Sequence, residues 1–232
     1  IFILIRLFIS LPYIMKINQQ LQWDKEEIAN LVTHGLGAIA SAIGLGYLLY
    51  FAFNKGGIWE QVSFGLFGIT MLIVFLASTI YHTIRTPKWK RIFQTIDQSA
   101  IFLLIAGSYA PFCLVSMRGV WGWSILSVVW ALAITGICLK FYFKNRMIKP
   151  FVLLYVLMGW LCLIAIQEMM EKIPEFSLLF IVVGGGFYML GIIFYLWEKL
   201  PYNHAIWHLF VIGGCASHYV AVIDLILWVN LL

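Results

Sequence analysis

The stretch QVSFGLFGITMLIVFLASTIYHT, residues 61–83, decides the fold, because it contains no Asp, Glu, Lys or Arg along its whole length. A helix rises about 1.5 Å per residue, so about 20 apolar residues cross a hydrocarbon core of about 30 Å. Lipid cannot pair the backbone groups of an open sheet edge. Strands of a membrane barrel would instead read as alternating segments of about ten residues. The continuous apolar run therefore predicts a transmembrane helix.

Six further apolar runs have the same character. The whole chain is 63% hydrophobic and 11% charged, whereas about a quarter of the residues in a soluble domain are charged. The seven predicted spans cover residues 29–53, 61–83, 93–115, 121–143, 151–170, 177–197 and 203–229. We therefore predict an all-α fold, an integral membrane seven-helix bundle. Because the connections are short, function is expected to lie within the helices.

The N-terminal region is treated apart from the bundle. We assign residues 1–28 to an N-terminal extension and flank, and residues 29–232 to the seven-span domain. Residues 1–14 are apolar but too short to span a bilayer, and they lack the basic segment and cleavage site of a signal peptide. Met15 is the expected natural start, with residues 1–14 upstream of it. An interfacial segment is the alternative.

Basic residues are shared unequally between the two sets of connections. Of the 15 Lys and Arg, all but Lys55, Arg118 and Lys172 lie on the set that includes the N-terminal flank. The positive-inside rule then predicts a cytoplasmic N-terminus and an external C-terminus in a cell membrane, most simply a bacterial plasma membrane. Because these residues flank apolar spans, topology explains the net charge of +5, and no nucleic-acid partner is expected.

Polar residues gather at one predicted depth. His82 closes the second span, Asp97 opens the third, and His204 and His208 open the seventh. Ionisable residues are costly inside a membrane, so each suggests a function. His204 and His208 are four residues apart and therefore lie on one helix face, and Ser78 precedes His82 by one turn. Residues from three distant segments thus form one candidate site.

The composition of this candidate site is that of a metal centre. Three neutral imidazoles with one open position are typical of catalytic zinc, which lowers the pKa of a bound water to about 7. Asp97 would orient or deprotonate that water, and Ser78 would hold the water or the aspartate. Amide or ester hydrolysis is the expected chemistry. On the residues alone, a structural polar cluster explains the pattern equally well, since membrane histidines also hydrogen-bond between helices.

Three further residues lie near this pattern without completing it. His34 is interpreted as a helix-packing residue in preference to one that supports the metal ligands. His218 lies deeper than His208 and off its helix face, so it is a poor ligand candidate. Asp224 is interpreted as a solvated or capping group near the outer interface.

Five segments in order carry a family resemblance. They are EEIANLVTHGLG (26–37), ASTIYH (77–82), DQSAIF (97–102), GVWGW (119–123) and LPYNHAIWHLF (200–210). Together they resemble the haemolysin III branch of the progestin and adipoQ receptor family, over essentially the whole chain from residue 26. The resemblance implies seven helices, a cytoplasmic N-terminus and a zinc ion near the cytoplasmic face. It also implies His82, His204 and His208 as zinc ligands, with Ser78 and Asp97 as the family's serine and aspartate.

The resemblance leaves three functions in competition. The wider superfamily includes alkaline ceramidases, which implies a zinc-dependent hydrolase of lipid amide or ester bonds. Receptor members imply a ligand or membrane-homeostasis sensor in which the zinc is structural. The branch name implies a lytic pore, although these helices offer few polar residues to line one. The expected partners are the bilayer and a lipid or lipid-derived small molecule, and the sequence leaves the oligomeric state open.

Overall fold

The structure contains seven helices long enough to span a membrane. It is a computed structural model and describes residues 24–143 and 147–229. No β-strand occurs among these residues, so the predicted all-α class is confirmed. The extension predicted at residues 1–14 lies outside them. The helices are α1 Lys25–Lys55, α2 Ile58–Thr83, α3 Pro87–Ser116, α4 Val120–Phe143, α5 Ile148–Lys172, α6 Glu175–Leu196 and α7 Asn203–Val229.

Capping and turn residues set the helix boundaries. The Asp24 side chain accepts a hydrogen bond from the Glu26 amide and so caps α1. Pro87 occupies the first turn of α3, where its missing amide hydrogen costs nothing. Gly119 separates α3 from α4 with a φ of +146°, a conformation that favours glycine. Short connections therefore join successive helices. We call the end of the bundle at which α1 begins the proximal end.

The packing brings α1, α2, α3 and α7 together. α2 packs between α1 and α3, and α7 packs between α6 and α1. Large side chains of α2, including Phe67 and Phe75, are buried in the core. On α1 the outward face exposes apolar side chains, among them Val32, Leu36, Ile39 and Ile43. Such a contiguous apolar surface is what contact with lipid requires.

α5 departs from the continuous helix predicted for its span. Its middle, Leu161–Ala165, is 3₁₀-helical and joins Ile148–Trp160 to Ile166–Lys172. The Tyr109 hydroxyl of α3 donates to the Met158 carbonyl at 2.7 Å and accepts from the Cys162 amide at 3.1 Å. Backbone groups freed by the change in helix type are thus paired within the bundle, as a lipid environment demands.

Candidate metal centre

Three histidines from two helices converge at the proximal end. His82 lies in the last turn of α2, and His204 and His208 lie in the first two turns of α7. One ring nitrogen of each lies within 4.8 Å of the others. The ring centroids are 5.2 Å apart for His82 and His204, 5.1 Å for His82 and His208, and 4.5 Å for His204 and His208. By geometry, this cluster can hold one metal ion.

The hydrogen position on His82 follows from its partner. Its Nδ1 lies 2.6 Å from Oε2 of Glu27 in the first turn of α1. A carboxylate only accepts, so Nδ1 carries the hydrogen and Nε2 keeps a lone pair. Nε2 is buried and has no hydrogen-bond partner among the residues that the structure describes. His82 therefore presents an unprotonated nitrogen to the cluster, which is the form that binds a metal.

His208 is oriented in the same way by a hydroxyl group. Its Nδ1 lies 3.1 Å from Oγ1 of Thr33. That hydroxyl donates its own hydrogen to the carbonyl oxygens of Ala29 at 2.8 Å and Asn30 at 3.0 Å. With its hydrogen on either carbonyl, the oxygen accepts from Nδ1–H of His208, which leaves Nε2 of this ring unprotonated as well. His208 is only 1% exposed, so this arrangement is shielded from solvent.

The first turn of α1 connects the cluster to its surroundings. Glu27 receives a second hydrogen bond through Oε1 from Lys90 Nζ of α3, at 2.9 Å, and Lys90 also donates to the Tyr81 carbonyl at 3.2 Å. The neighbouring Glu26 accepts a hydrogen bond at 2.9 Å from the amide of Tyr202, immediately before α7. Two adjacent acidic residues thus tie α1 to α2, to α3 and to the start of α7.

Asp97 and Ser78 lie next to one another beside the histidines. Ser78 lies one turn before His82 on α2 and is 1% exposed. Within the described part of the chain, no atom meets the distance and angle of a hydrogen bond with its hydroxyl oxygen. The partly buried carboxylate of Asp97 lies close enough to that hydroxyl to interact with it. Among the residues that the structure describes, Asp97 is not part of the group whose ligand atoms converge. It lies beside the histidine cluster.

His34 packs directly against the cluster. Its ring stacks on that of His208 with a centroid distance of 3.4 Å and an interplanar angle of 15°. Its other neighbour is Phe75, whose ring meets it edge-on at 5.1 Å. Neither ring nitrogen has a hydrogen-bond partner in residues 24–143 or 147–229. The contacts of His34 are therefore packing contacts, and one of them is with a candidate ligand.

The two remaining candidates lie elsewhere. His218 contacts the Tyr188 ring and lies 3.4 Å from the Ile181 carbonyl, so it is outside the cluster, as the sequence analysis expected. Asp224 is partly exposed near the end of α7, and its Oδ2 accepts a hydrogen bond of 2.6 Å from Ser177 in the first turn of α6.

Sequence reasoning missed the residues that orient the histidines. Glu27, Thr33 and Lys90 were not candidates, since a glutamate in a first helical turn has an ordinary role in complementing the helix dipole. One signal was available. Glu27, Asn30 and His34 are spaced three and four residues apart, which places three polar residues on one face of a largely apolar helix.

Comparison with known proteins identifies the family. The sequence profile of haemolysin-III-related proteins matches residues 22–219. The chain belongs to the haemolysin III family. It is 45% identical over 212 residues to Hemolysin-3 of Bacillus cereus, covering 91% of this chain and 97% of that protein. It is 46% identical over 201 residues to the Hemolysin-3 homolog of Bacillus subtilis (strain 168), covering 86% and 93%.

A more distant relative connects the haemolysin III family to the progestin and adipoQ receptor proteins. The chain is 26% identical over 208 residues to the human monocyte to macrophage differentiation factor, covering 85% of this chain and 83% of that protein. The resemblance found in five sequence segments is thereby confirmed. With seven apolar spans, this haemolysin III protein is a multi-pass protein of the plasma membrane.

Proposed function

We propose that this haemolysin III protein is a zinc-dependent membrane hydrolase that cleaves a lipid amide or ester bond. The observation that carries the proposal is the convergence of His82, His204 and His208 beside Ser78 and Asp97. Three imidazoles and one open position form the donor set of catalytic zinc sites.

The residues present fit a zinc ion. The Nε2 atoms of His82 and His204 are buried and, among the described residues, without partners. A buried polar atom left unpaired costs about 1–3 kcal/mol, so binding of a metal by these atoms would be favourable. The Nδ1 atoms of His82 and His208 also lie within hydrogen-bond distance of an oxygen, as they usually do in metal-bound histidines. When bound, zinc supplies Lewis-acid chemistry at neutral pH.

Asp97 and Ser78 would supply the remaining chemistry. Asp97 has a carboxylate that can take a proton from water during attack and return it to the leaving amine or alcohol. Ser78 lies next to this carboxylate, one turn before His82, where its hydroxyl can donate a hydrogen bond to Asp97 or to a developing oxyanion. The two residues therefore have distinct tasks, proton transfer and positioning.

The expected substrate is a lipid of the cytoplasmic leaflet. The candidate site lies at the proximal end, and the distribution of Lys and Arg favours a cytoplasmic location for that end. Lipid reaches a helical bundle through the apolar surfaces of its helices. The amide or ester bond of a lipid lies near the headgroup, at a depth similar to that of residues in the last turn of a span.

Metal analysis of purified protein tests the proposal. The wild-type chain should contain about one zinc per molecule, as a His₃ site requires, and His204→Ala should have lost it. His218→Ala is the matched control, because it removes a histidine of the same helix away from the cluster. Equal zinc content in wild type and His204→Ala would refute the proposed metal centre.

A sensor with a structural zinc is the second candidate, favoured by the way the cluster joins α2 to α7. The variant Asp97→Asn separates the two. Because a structural ion needs no general base, a sensor should function normally with Asn at this position. If lipidomic profiles of membranes carrying wild type and Asp97→Asn are the same while the zinc content is also the same, the hydrolase assignment fails.

A further inference from the structure

We infer that α1 is the positioning element of the metal centre: Glu27 and Thr33 fix the ring orientation and hydrogen position of two of the three histidines. The inference rests on the proposed metal site and concerns residues that the family resemblance did not assign. Neither residue would touch the metal or the substrate, so both act through the histidines.

Glu27 has the geometry of a strong orienting group. Its bond to His82 Nδ1 is 2.6 Å long, short even for a charge-assisted hydrogen bond. The second carboxylate oxygen is held by Lys90 at 2.9 Å, which fixes the direction of the carboxylate. The side chain of His82 is only 2% exposed. The side chain of Glu27 is 35% exposed. A water in its place would lack both the charge and the bond to Lys90, so the ring would be held less firmly without this residue.

Thr33 achieves the same result without a charge. Its hydroxyl lies within hydrogen-bond distance of the carbonyl oxygens of Ala29 and Asn30, and with its hydrogen on either of them the oxygen accepts from Nδ1–H of His208. Without that oxygen, Nδ1–H of the neutral ring loses its side-chain acceptor, which shifts the balance of the two tautomers towards a hydrogen on Nε2. A ring protonated at Nε2 has no lone pair to offer at that atom.

Both orienting residues come from one helix that provides none of the three histidines. Glu27 and Thr33 are six residues apart on α1, and their partners lie on α2 and α7. Docking of α1 therefore sets the ligand geometry, and metal affinity should depend on residues distant in sequence from every ligand.

Zinc affinity, measured by competition with a chromogenic chelator on the purified full chain in detergent, tests the inference. Glu27→Gln keeps the shape of the side chain and an acceptor oxygen but removes the charge, and Thr33→Val keeps the shape but removes the acceptor. Loss of such partners typically weakens metal binding about 10–100-fold, and we expect a loss in this range for each variant. Thr33→Ser should retain the wild-type affinity.

Two controls match these variants. Glu26→Gln changes the adjacent acid, whose bond is to a backbone amide and not to a histidine. Thr79→Val removes a hydroxyl that donates to the carbonyl four residues earlier, as Thr33 does, but that contacts none of the candidate ligands among the described residues. Both should bind zinc as wild type does. The visible absorption of Co²⁺-loaded protein gives a second readout, which should change in Glu27→Gln and Thr33→Val alone.

The possible outcomes distinguish this inference from the proposed function. Wild-type affinity and an unchanged Co²⁺ spectrum in Glu27→Gln and Thr33→Val would overturn the inference and leave the metal centre standing. A wild-type chain that binds neither ion would overturn both. Should Glu27→Gln fail to fold, the comparison of Thr33→Val with Thr33→Ser decides alone, since the two differ in the hydroxyl that the inference concerns.

Discussion

Gly122 lies where α4 approaches the end of α3, and Gly122→Ala tests how closely these helices approach. A Cβ atom at this position would overlap the carbonyl oxygen of Cys113 and lie 2.6 Å from that of Met117. The Gly122 amide also donates to the Met117 carbonyl at 3.2 Å, which holds the two segments together. Alanine therefore cannot be accommodated by moving a flexible side chain.

The magnitude follows from the distances. Carbon and carbonyl oxygen rarely approach closer than about 3.3 Å, so the added Cβ would have to move about 0.7 Å from the Met117 carbonyl oxygen and further from that of Cys113. Overpacking usually costs about 1–3 kcal/mol, and backbone obstacles place Gly122→Ala near the upper value. For a chain of this size, about 3 kcal/mol corresponds to a fall in Tm of about 6–12 °C.

Thermal unfolding in detergent, followed by circular dichroism, measures this effect. Gly185→Ala is the control, because in the described part of the chain nothing lies within 4 Å of its added Cβ. Its Tm should be unchanged or slightly raised, as alanine favours helix more than glycine does. Equal Tm values for the two variants would show that α3 and α4 do not approach as closely as described.

Three other predictions concern the site and α5. Asp97→Asn should keep zinc while lipid hydrolysis falls about 10²–10⁴-fold, the usual contribution of a general base; zinc loss in this variant would contradict its placement outside the ligand set. Tyr109→Phe should lower stability by about 1–3 kcal/mol, because the Met158 carbonyl and the Cys162 amide lose their partner; an unchanged Tm would refute that role. Chelation of zinc should lower the Tm of wild type, since a ligand of the native state stabilises it, and should leave the Tm of His204→Ala unchanged.

The sequence predicted the seven spans because hydropathy and length determine which segments can cross lipid. The helices extend beyond several predicted spans by a few residues, as α1 does from Lys25 to Lys55, since caps and basic residues continue a helix into the interface. The 3₁₀ segment of α5 was not predictable in the same way. It depends on Tyr109 of α3, about 50 residues away, and hydropathy carries no information on that contact.

The sequence could predict the height of the candidate site in the membrane, but not which side chains contact one another there. Span ends place His82, Asp97 and His204 at one height, whereas the arrangement of helices around the bundle decides which side chains meet. The bonds of Glu27 and Thr33 to histidines join residues 55 and 175 positions apart. Only the packing of α1 against both α2 and α7 brings these partners together.

X-ray absorption at the zinc edge of the purified wild-type chain tests the central claim most directly. One zinc per molecule with three imidazole nitrogens at about 2.0–2.1 Å and one further oxygen ligand is the predicted result. Absence of zinc, or scattering by sulfur at about 2.3 Å, would contradict a centre built from His82, His204 and His208.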